Sequence, residues 1–372
     1  MKRVISLLLT RKEAFNKLWL YKLKMEMLSA LRSHAIFIGI VLLYFTSYLI
    51  ISRIYGAANK VSLFLYYKKV FELAVCCFLI FFTGYFIYLR YFIRPDNFKE
   101  FALDDLQKNH LTTERLCNLF LIGLLVPAFL SAFTSLKIIF PAIHPFAWDE
   151  SLARLDAFIH GGKQPWQWLQ PVLGYPLITS ILSKFYYLWF FVMYSVILWQ
   201  AFSLRDRMLR MQFFLTYALS WVLIGTVSAI IFSSAGPCYY DHIVKGDDLF
   251  SPLMNYLHTA NESFHLKSID IQKLLWSAYN GRETGLVKGI SAMPSMHVSM
   301  SFIFALLGWR VNRIAGILFS IFALIIFLGS IHLGWHYASD GYVAIIMTTI
   351  IWYSTGFILK RSNSFNKQFS EE

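Results

Sequence analysis

Long apolar runs separated by short charged breaks dominate the chain. Eight such runs lie at about 35–54, 70–92, 116–140, 178–203, 212–234, 290–309, 314–334 and 338–359. Each comes near the ~20 residues a helix needs to cross a bilayer. The fourth carries no charge from Phe185 to Leu204, whereas the sixth and eighth are the weakest by hydropathy and hold the most interesting polar residues. Strand signals are absent. The pattern therefore predicts an all-α, polytopic integral membrane protein with about eight transmembrane helices.

The runs also suggest an organisation. Residues 1–34 carry Lys2, Arg3, Arg11 and Lys12 and read as a basic amphipathic segment on the membrane surface. Its apolar stretch, Ile5 to Leu9, is shorter than a signal-peptide core of about 7–15 residues. Residues 35–115 form an accessory two-span segment, 116–360 a six-span core and 361–372 a cytoplasmic tail. Two stretches between spans are long: Pro141 to Pro176, with Trp148, Trp166 and Trp168, and Ser234 to Gly289. Tryptophans of this kind suit a membrane interface.

Composition agrees. Hydrophobic residues make up 57% of the chain and charged ones 15%, against roughly 25% charged in soluble domains. Mean hydropathy is +0.54. These figures exclude a disordered chain, a collagen and an ordinary soluble domain. The net charge of +13 is read as basic decoration of cytoplasmic loops, so no nucleic-acid partner is expected. The side holding both termini collects 20 lysines and arginines, the opposite side 11. That asymmetry predicts cytoplasmic termini and exoplasmic long loops, as for a bacterial inner-membrane protein with a periplasmic site. The four cysteines show neither zinc-type spacing nor a disulfide framework.

Ionisable residues inside spans are costly and point to function. Two groups stand out, Gly289-Ile-Ser-Ala-Met-Pro-Ser-Met-His-Val-Ser299 and Gly329-Ser-Ile-His-Leu-Gly-Trp-His-Tyr-Ala-Ser-Asp340. His297 and His336 are 39 residues apart, room for one outgoing and one returning span, so both are expected at one membrane face. Pro294 fits the first turn of a helix. Ser295, Met296 and His297 would then offer backbone N–H groups at a helix N-terminus, a ready anion site. His336 and Asp340, four residues apart, fall about 40° apart on one helical face. The carboxylate would fix the imidazole tautomer and leave the other nitrogen free to attack. A nucleophilic histidine, an orienting aspartate, a second histidine and an oxyanion cradle are the parts of covalent phosphoryl transfer.

At these residues the sequence resembles a family. Pro294-Ser-Met-His297 followed one hairpin later by His336-x-x-x-Asp340 looks like the type 2 phosphatidate phosphatase superfamily. The GISAMPSMHVS context, the Gly236-Pro-Cys-Tyr-Tyr240 stretch and the Trp148-Asp149 to Trp168 loop look most like its inositol phosphorylceramide synthase-like branch. The resemblance spans roughly 140–360. It implies that His336 forms a phosphohistidine, that Asp340 activates it, and that His297 protonates the leaving group and then activates the acceptor. It places Ser295 on the phosphate and requires no metal or other cofactor. The implied substrate is a lipid phosphoester, and oligomeric state is open.

Two signatures depart from the family pattern. The Ser-Arg pair expected ahead of the nucleophilic histidine is Gly329-Ser330, so its arginine is missing. The signature of Lys, six residues and Arg-Pro has no match at Arg94-Pro95, the only Arg-Pro in the chain, which falls at the cytoplasmic end of a span. Met296 joins Ser295 in the anion cradle, and Lys288, Arg282 or Lys245 is expected to supply the missing cation. Tyr239, Tyr240 and His332 are candidates to wall the substrate pocket, with an interfacial loop as the other reading of the two tyrosines. Asp149 and Asp156 are read as helix-capping charges. Glu72 is placed at the interface, and Gly236-Pro237 shapes the pocket or stops a helix.

Other classes compete. His332, His336 and Asp340 at i, i+4 and i+8 would ligate zinc on a continuous helix, giving a metal-dependent membrane hydrolase. A lipid transporter would show broken helices and inverted repeats, which the sequence lacks. A silent scaffold would tolerate loss of His336.

Overall fold

The computed structural model describes residues 2–57, 64–281 and 289–361, with side chains from residue 18. The helices are α1 (Lys2–Ser33), α2 (Ala35–Ile54), α3 (Tyr67–Tyr88), α4 (Phe98–Asp105), α5 (Thr113–Lys137), α6 (Phe140–Ile143), α7 (Asp149–Ile159), α8 (Pro165–Leu173) and α9 (Pro176–Phe202). They continue with α10 (Arg207–Val222), α11 (Ala229–Ile231), α12 (Tyr240–Ile243), α13 (Ser251–Ser263), α14 (Lys267–Tyr279), α15 (Met296–Val311), α16 (Arg313–His332) and α17 (Ala338–Arg361). No strand occurs among the described residues.

Seven helices among the described residues are long and apolar enough to cross a membrane, which makes the chain a polytopic all-α membrane protein. Five of them are α2, α5, α9, α16 and α17; the other two are α3, which runs on through a π turn to Ile93, and α10, which continues to Ile231. The expected run at 290–309 takes a different form. Its helix, α15, starts only at Met296 and has 16 residues, about 24 Å of rise. Residues 289–295 enter as non-helical backbone, in which Ile290, Ala292, Met293 and Pro294 are buried. Protein partners satisfy that backbone, as depth in a membrane requires. Ala292 N–H donates to the Ser234 carbonyl (3.0 Å), Met293 N–H to Ser234 Oγ (3.0 Å) and Ser295 N–H to the Asp340 carbonyl (3.2 Å).

Local chemistry sets the helix ends. Thr112, Asp206 and Ser295 cap α5, α10 and α15 by accepting from the backbone N–H three residues on. Asn312 ends α15 and caps α16 through Ala315 N–H (2.8 Å). This single residue folds the two helices into the tight hairpin that brings His297 and the end of α16 to one face.

The helices differ in how deeply they sit. About two-thirds of the apolar stretch is buried in α10 (67%) and α5 (61%), against 6% in α3. The centre is aromatic, with Trp189, Phe213, Phe214, Tyr217 and Phe304 almost fully enclosed. Polar pairs cross between helices inside it. Thr216 meets Thr355 (2.9 Å), Ser299 meets Thr348 (2.7 Å), and Gln212 Nε2 donates to the Trp352 carbonyl (2.9 Å). In lipid such bonds hold helices together where the hydrophobic effect cannot, at about 0.6 kcal/mol each. α2 joins this centre through Phe37, Val41, Tyr44 and Tyr48, with Tyr44 on Thr226 (2.9 Å). α1 packs Ala30, with Leu23 and Met27, against Cys117 and Leu121 of α5.

Candidate active site

The first turn of α15, the last turn of α16, the loop 333–337 and the first turn of α17 converge at one end of the bundle. His297 and His336 face each other there, with ring centroids 6.4 Å apart. His336 Nδ1 lies 3.1 Å from Asp340 Oδ2, and that oxygen also accepts from Tyr337 N–H (3.1 Å). The pair does not share a helical face as the spacing suggested. α16 stops at His332 and α17 starts at Ala338, because residues 333–337 turn through Gly334 at φ +71°. Asp340 reaches back from the first turn of α17 to hold the loop. The same break removes the continuous helix that a zinc site through His332, His336 and Asp340 needs. No cluster of three metal-ligating side chains occurs among the described residues.

The loop is fixed from several sides. Trp335 N–H (2.9 Å) and His336 N–H (3.2 Å) donate to the Ser330 carbonyl. Gln272 Nε2 of α14 donates to the Leu333 carbonyl (2.9 Å), and Cys238 N–H to that of Gly334 (2.8 Å). Gly236 lies so close that a Cβ there would come within 2.7 Å of the Trp335 carbonyl, and its φ of +99° also favours glycine. Ser330, at the position of the family arginine, is buried and donates to the Phe327 carbonyl (2.7 Å).

The Pro141–Pro176 stretch is a strap across this end of the bundle. α7 delivers two buried carboxylates. Asp149 accepts from Ala235 N–H (2.9 Å to Oδ2), Gly236 N–H (2.8 Å) and the Tyr337 hydroxyl (2.9 Å). Asp156 accepts from Ala338 N–H (2.6 Å) and Ser339 N–H (2.9 Å), capping α17. Burial pushes both carboxyls up, and the backbone donors oppose that. The expected capping role thus appears between elements rather than on α7 itself.

His297 sits in an aromatic slot. The Tyr186 ring stacks on it at 4.4 Å and Trp189 lies at 4.2 Å, with Trp189 Nε1 donating to the His297 carbonyl (3.1 Å). Pro294 precedes the helix instead of sitting in its first turn, since Ser295 is the cap. Ser295 Oγ accepts from Val298 N–H (3.4 Å) and is fully buried. The Met296 side chain packs against Gly225.

The remaining candidates have the following partners and exposure. The Tyr239 hydroxyl donates to the Gln272 carbonyl (2.9 Å) and that of Tyr240 to Asp247 (2.9 Å), so both are engaged within the long loop. His332 is fully buried, with Nε2 on Thr179 Oγ1 (2.9 Å). Lys245 is exposed, as is Glu72. Arg282 and Lys288 lie outside the described residues. Arg94 is exposed beyond α3, its Nε donating to the Tyr91 carbonyl (2.8 Å).

Lys137, at the end of α5, is a cation close enough to act on this end of the bundle that the spacing argument did not single out. Its charge acts on both His297 and His336. Its backbone lies against Gly289, where a Cβ would come within 2.9 Å of the Lys137 carbonyl. It has no carboxylate partner among the described residues. The signal was present: Lys137 is followed by six residues and then His144-Pro145, the spacing of the first family signature with histidine for arginine. The His144 ring is held by its Nδ1, which pairs with the Ile230 carbonyl (2.8 Å). Burial first, and then the Lys137 charge, lower the His336 imidazole to about 3, against a backbone bond to Ala292 that raises it. The ring is therefore neutral and keeps a lone pair.

Comparison with curated proteins and with solved structures finds no match. A family model does match: that of the PAP2 superfamily, over residues 150–354, which include His297, His336 and Asp340. The site geometry and that match agree, and the chain belongs to the PAP2 superfamily, the type 2 phosphatidate phosphatases and their relatives.

Proposed function

We propose that this protein is an integral membrane lipid phosphatase or phosphotransferase that works at the exoplasmic face through a phosphohistidine on His336. The observation that carries the reading is the His336–Asp340 contact facing His297, within the field of Lys137. Nδ1–H of His336 donates to Asp340, which leaves the Nε2 lone pair to attack phosphorus. A P–N bond forms as the P–O bond to the leaving group breaks, and His297 gives that oxygen its proton. In the second half, His297 takes a proton from water or from an acceptor hydroxyl. The new oxygen attacks, the P–N bond breaks, and its electron pair returns to Nε2. Lys137 and the N–H groups at the start of α15 stabilise charge on the phosphoryl oxygens.

Two features support a lipid substrate: the site lies at the end of membrane helices, and the strap over it carries the exposed apolar side chains Phe158, Ile159, Trp168 and Val172. The missing arginine and the strap favour the synthase-like branch, in which the acceptor is a hydroxyl other than water.

The test uses the full chain in detergent with EDTA and a panel of phospholipids and polyprenyl phosphates. Phosphate release and new phospholipid products are followed together for wild type and His336→Ala, with trapping of an acid-labile phosphoenzyme. Activity and phosphoenzyme in wild type, both lost in the variant, are expected. Equal activity in the two proteins would overturn the assignment.

A further inference from the structure

We propose that the Tyr186 hydroxyl, with the Trp335 indole N–H beside it, donates hydrogen bonds to the transferring phosphoryl group, the part left open by the missing arginine. The inference rests on the phosphoryl-transfer reading above and adds substrate contacts to it.

Tyr186 stands between the two reacting segments. Its ring lies 4.4 Å from His297 at 19° and 6.1 Å from Trp335 at 4°, so Trp335, Tyr186 and His297 form one near-parallel stack. Trp335 immediately precedes His336. Tyr186 also lies within electrostatic reach of Asp340.

Its polar end is unmatched. Tyr186 is only 5% exposed, and neither its hydroxyl nor Trp335 Nε1 has a hydrogen-bond partner among the described residues. Buried polar atoms are normally paired, and the exceptions need a reason. Three other polar groups on this part of α9 are paired. Thr179 holds His332 (2.9 Å), Ser183 holds Ser268 (2.8 Å) and Trp189 holds the His297 carbonyl (3.1 Å).

A ligand phosphate gives these donors a use. A phosphoryl group in transfer spreads charge over three peripheral oxygens. Lys137 supplies a full charge from α5, and α15 supplies backbone N–H groups from another side. Tyr186 and Trp335 would bring two neutral donors from α9 and the catalytic loop. Neutral donors add no cation beside His336, so they leave its lone pair available where an arginine would pull on it.

Tyr186→Phe isolates the claim, because it keeps the stacked ring and removes one oxygen. The probe is orthovanadate, whose binding to the full chain in detergent is measured by calorimetry. Wild type binds, Lys137→Met does not, and Tyr186→Phe is expected to bind about tenfold more weakly or worse, as for loss of a hydrogen bond to a charged group. Trp335→Phe should weaken binding in the same direction. Circular dichroism melting of each variant shows whether the fold is kept. Vanadate affinity within twofold of wild type in a folded Tyr186→Phe protein would overturn the inference and leave the phosphoryl-transfer reading standing. So would unchanged affinity with a shifted pH profile of activity, which would assign the hydroxyl to Asp340 Oδ1, also unpaired among the described residues. A wild type that binds no vanadate would remove the parent reading and this inference with it.

Discussion

At His336, burial and the Lys137 charge keep the imidazole neutral down to about pH 3. A histidine in the unfolded chain titrates near 6.5, so between these values the unfolded state binds more protons. The stability contribution is complete above about 6.5 and is lost as pH falls towards 3, by up to about 1.4 kcal/mol per pH unit. Replacing His336 by Asn should flatten this part of the acid slope. Melting temperatures at pH 7 and pH 4.5 for the two proteins check it, and an unchanged difference would show that His336 is not buried as described. Lys137 makes a separate prediction. Removing one preorganised charge-stabilising group costs about 10²–10³ in rate, so Lys137→Met should lose about that much kcat/KM. Lys137→Arg should keep part of it, because the charge survives although the guanidinium is broader. Equal losses in both variants would point to packing at the end of α5 rather than charge.

Among the elements, the strap and the catalytic loop depend on each other through two carboxylates. Asp156 caps α17 and Asp149 joins the 235–236 turn to Tyr337, next to His336. Asp156→Ala should cost about 1–2 kcal/mol, a lost cap, and Asp149→Ala at least as much, because buried N–H groups lose their acceptor. Hydrogen exchange should rise at Ala235, Gly236 and Ala338 in the respective variants; unchanged protection there would show that the strap merely rests on the bundle. The sequence made much of this scale legible. Long apolar runs located the spans to within a few residues, because lipid forces every spanning backbone into helix. That His297, His336 and Asp340 meet at one end of the bundle could be read from spacing. What escaped depended on contacts distant in the chain. The late start of α15 follows from Ser234 and Asp340 partners that pairwise spacing cannot show. The roles of Asp149 and Asp156 required knowing what lies above them. Lys137 was hidden because its signature was sought with arginine, while the chain has His144.

For the whole molecule, the two ends of the bundle differ in chemistry, and that difference predicts how it sits in the membrane. At one end are His297, His336 and the strap. At the other, Arg115 donates to the Phe202 carbonyl, Arg210 to that of Ser203 (3.0 Å), and Arg207 pairs with Glu114 (3.1 Å). α9 separates them by 27 residues, about 40 Å, enough to span a bilayer of ~30 Å core. The arginine end belongs to the side with 20 basic residues, the histidine end to the side with 11, to which Lys137 adds one, so the positive-inside rule predicts that the site faces outward. Lys163 and Arg205 are exposed and mark the two ends. In a chain with Cys76, Cys77, Cys117 and Cys238 replaced, Lys163→Cys should react with a membrane-impermeant maleimide in intact cells. Arg205→Cys should react only after permeabilisation. The reverse pattern would turn the molecule over, place the phosphoryl chemistry in the cytoplasm, and make soluble phosphoesters as accessible to His336 as lipids of the outer leaflet are under the present orientation.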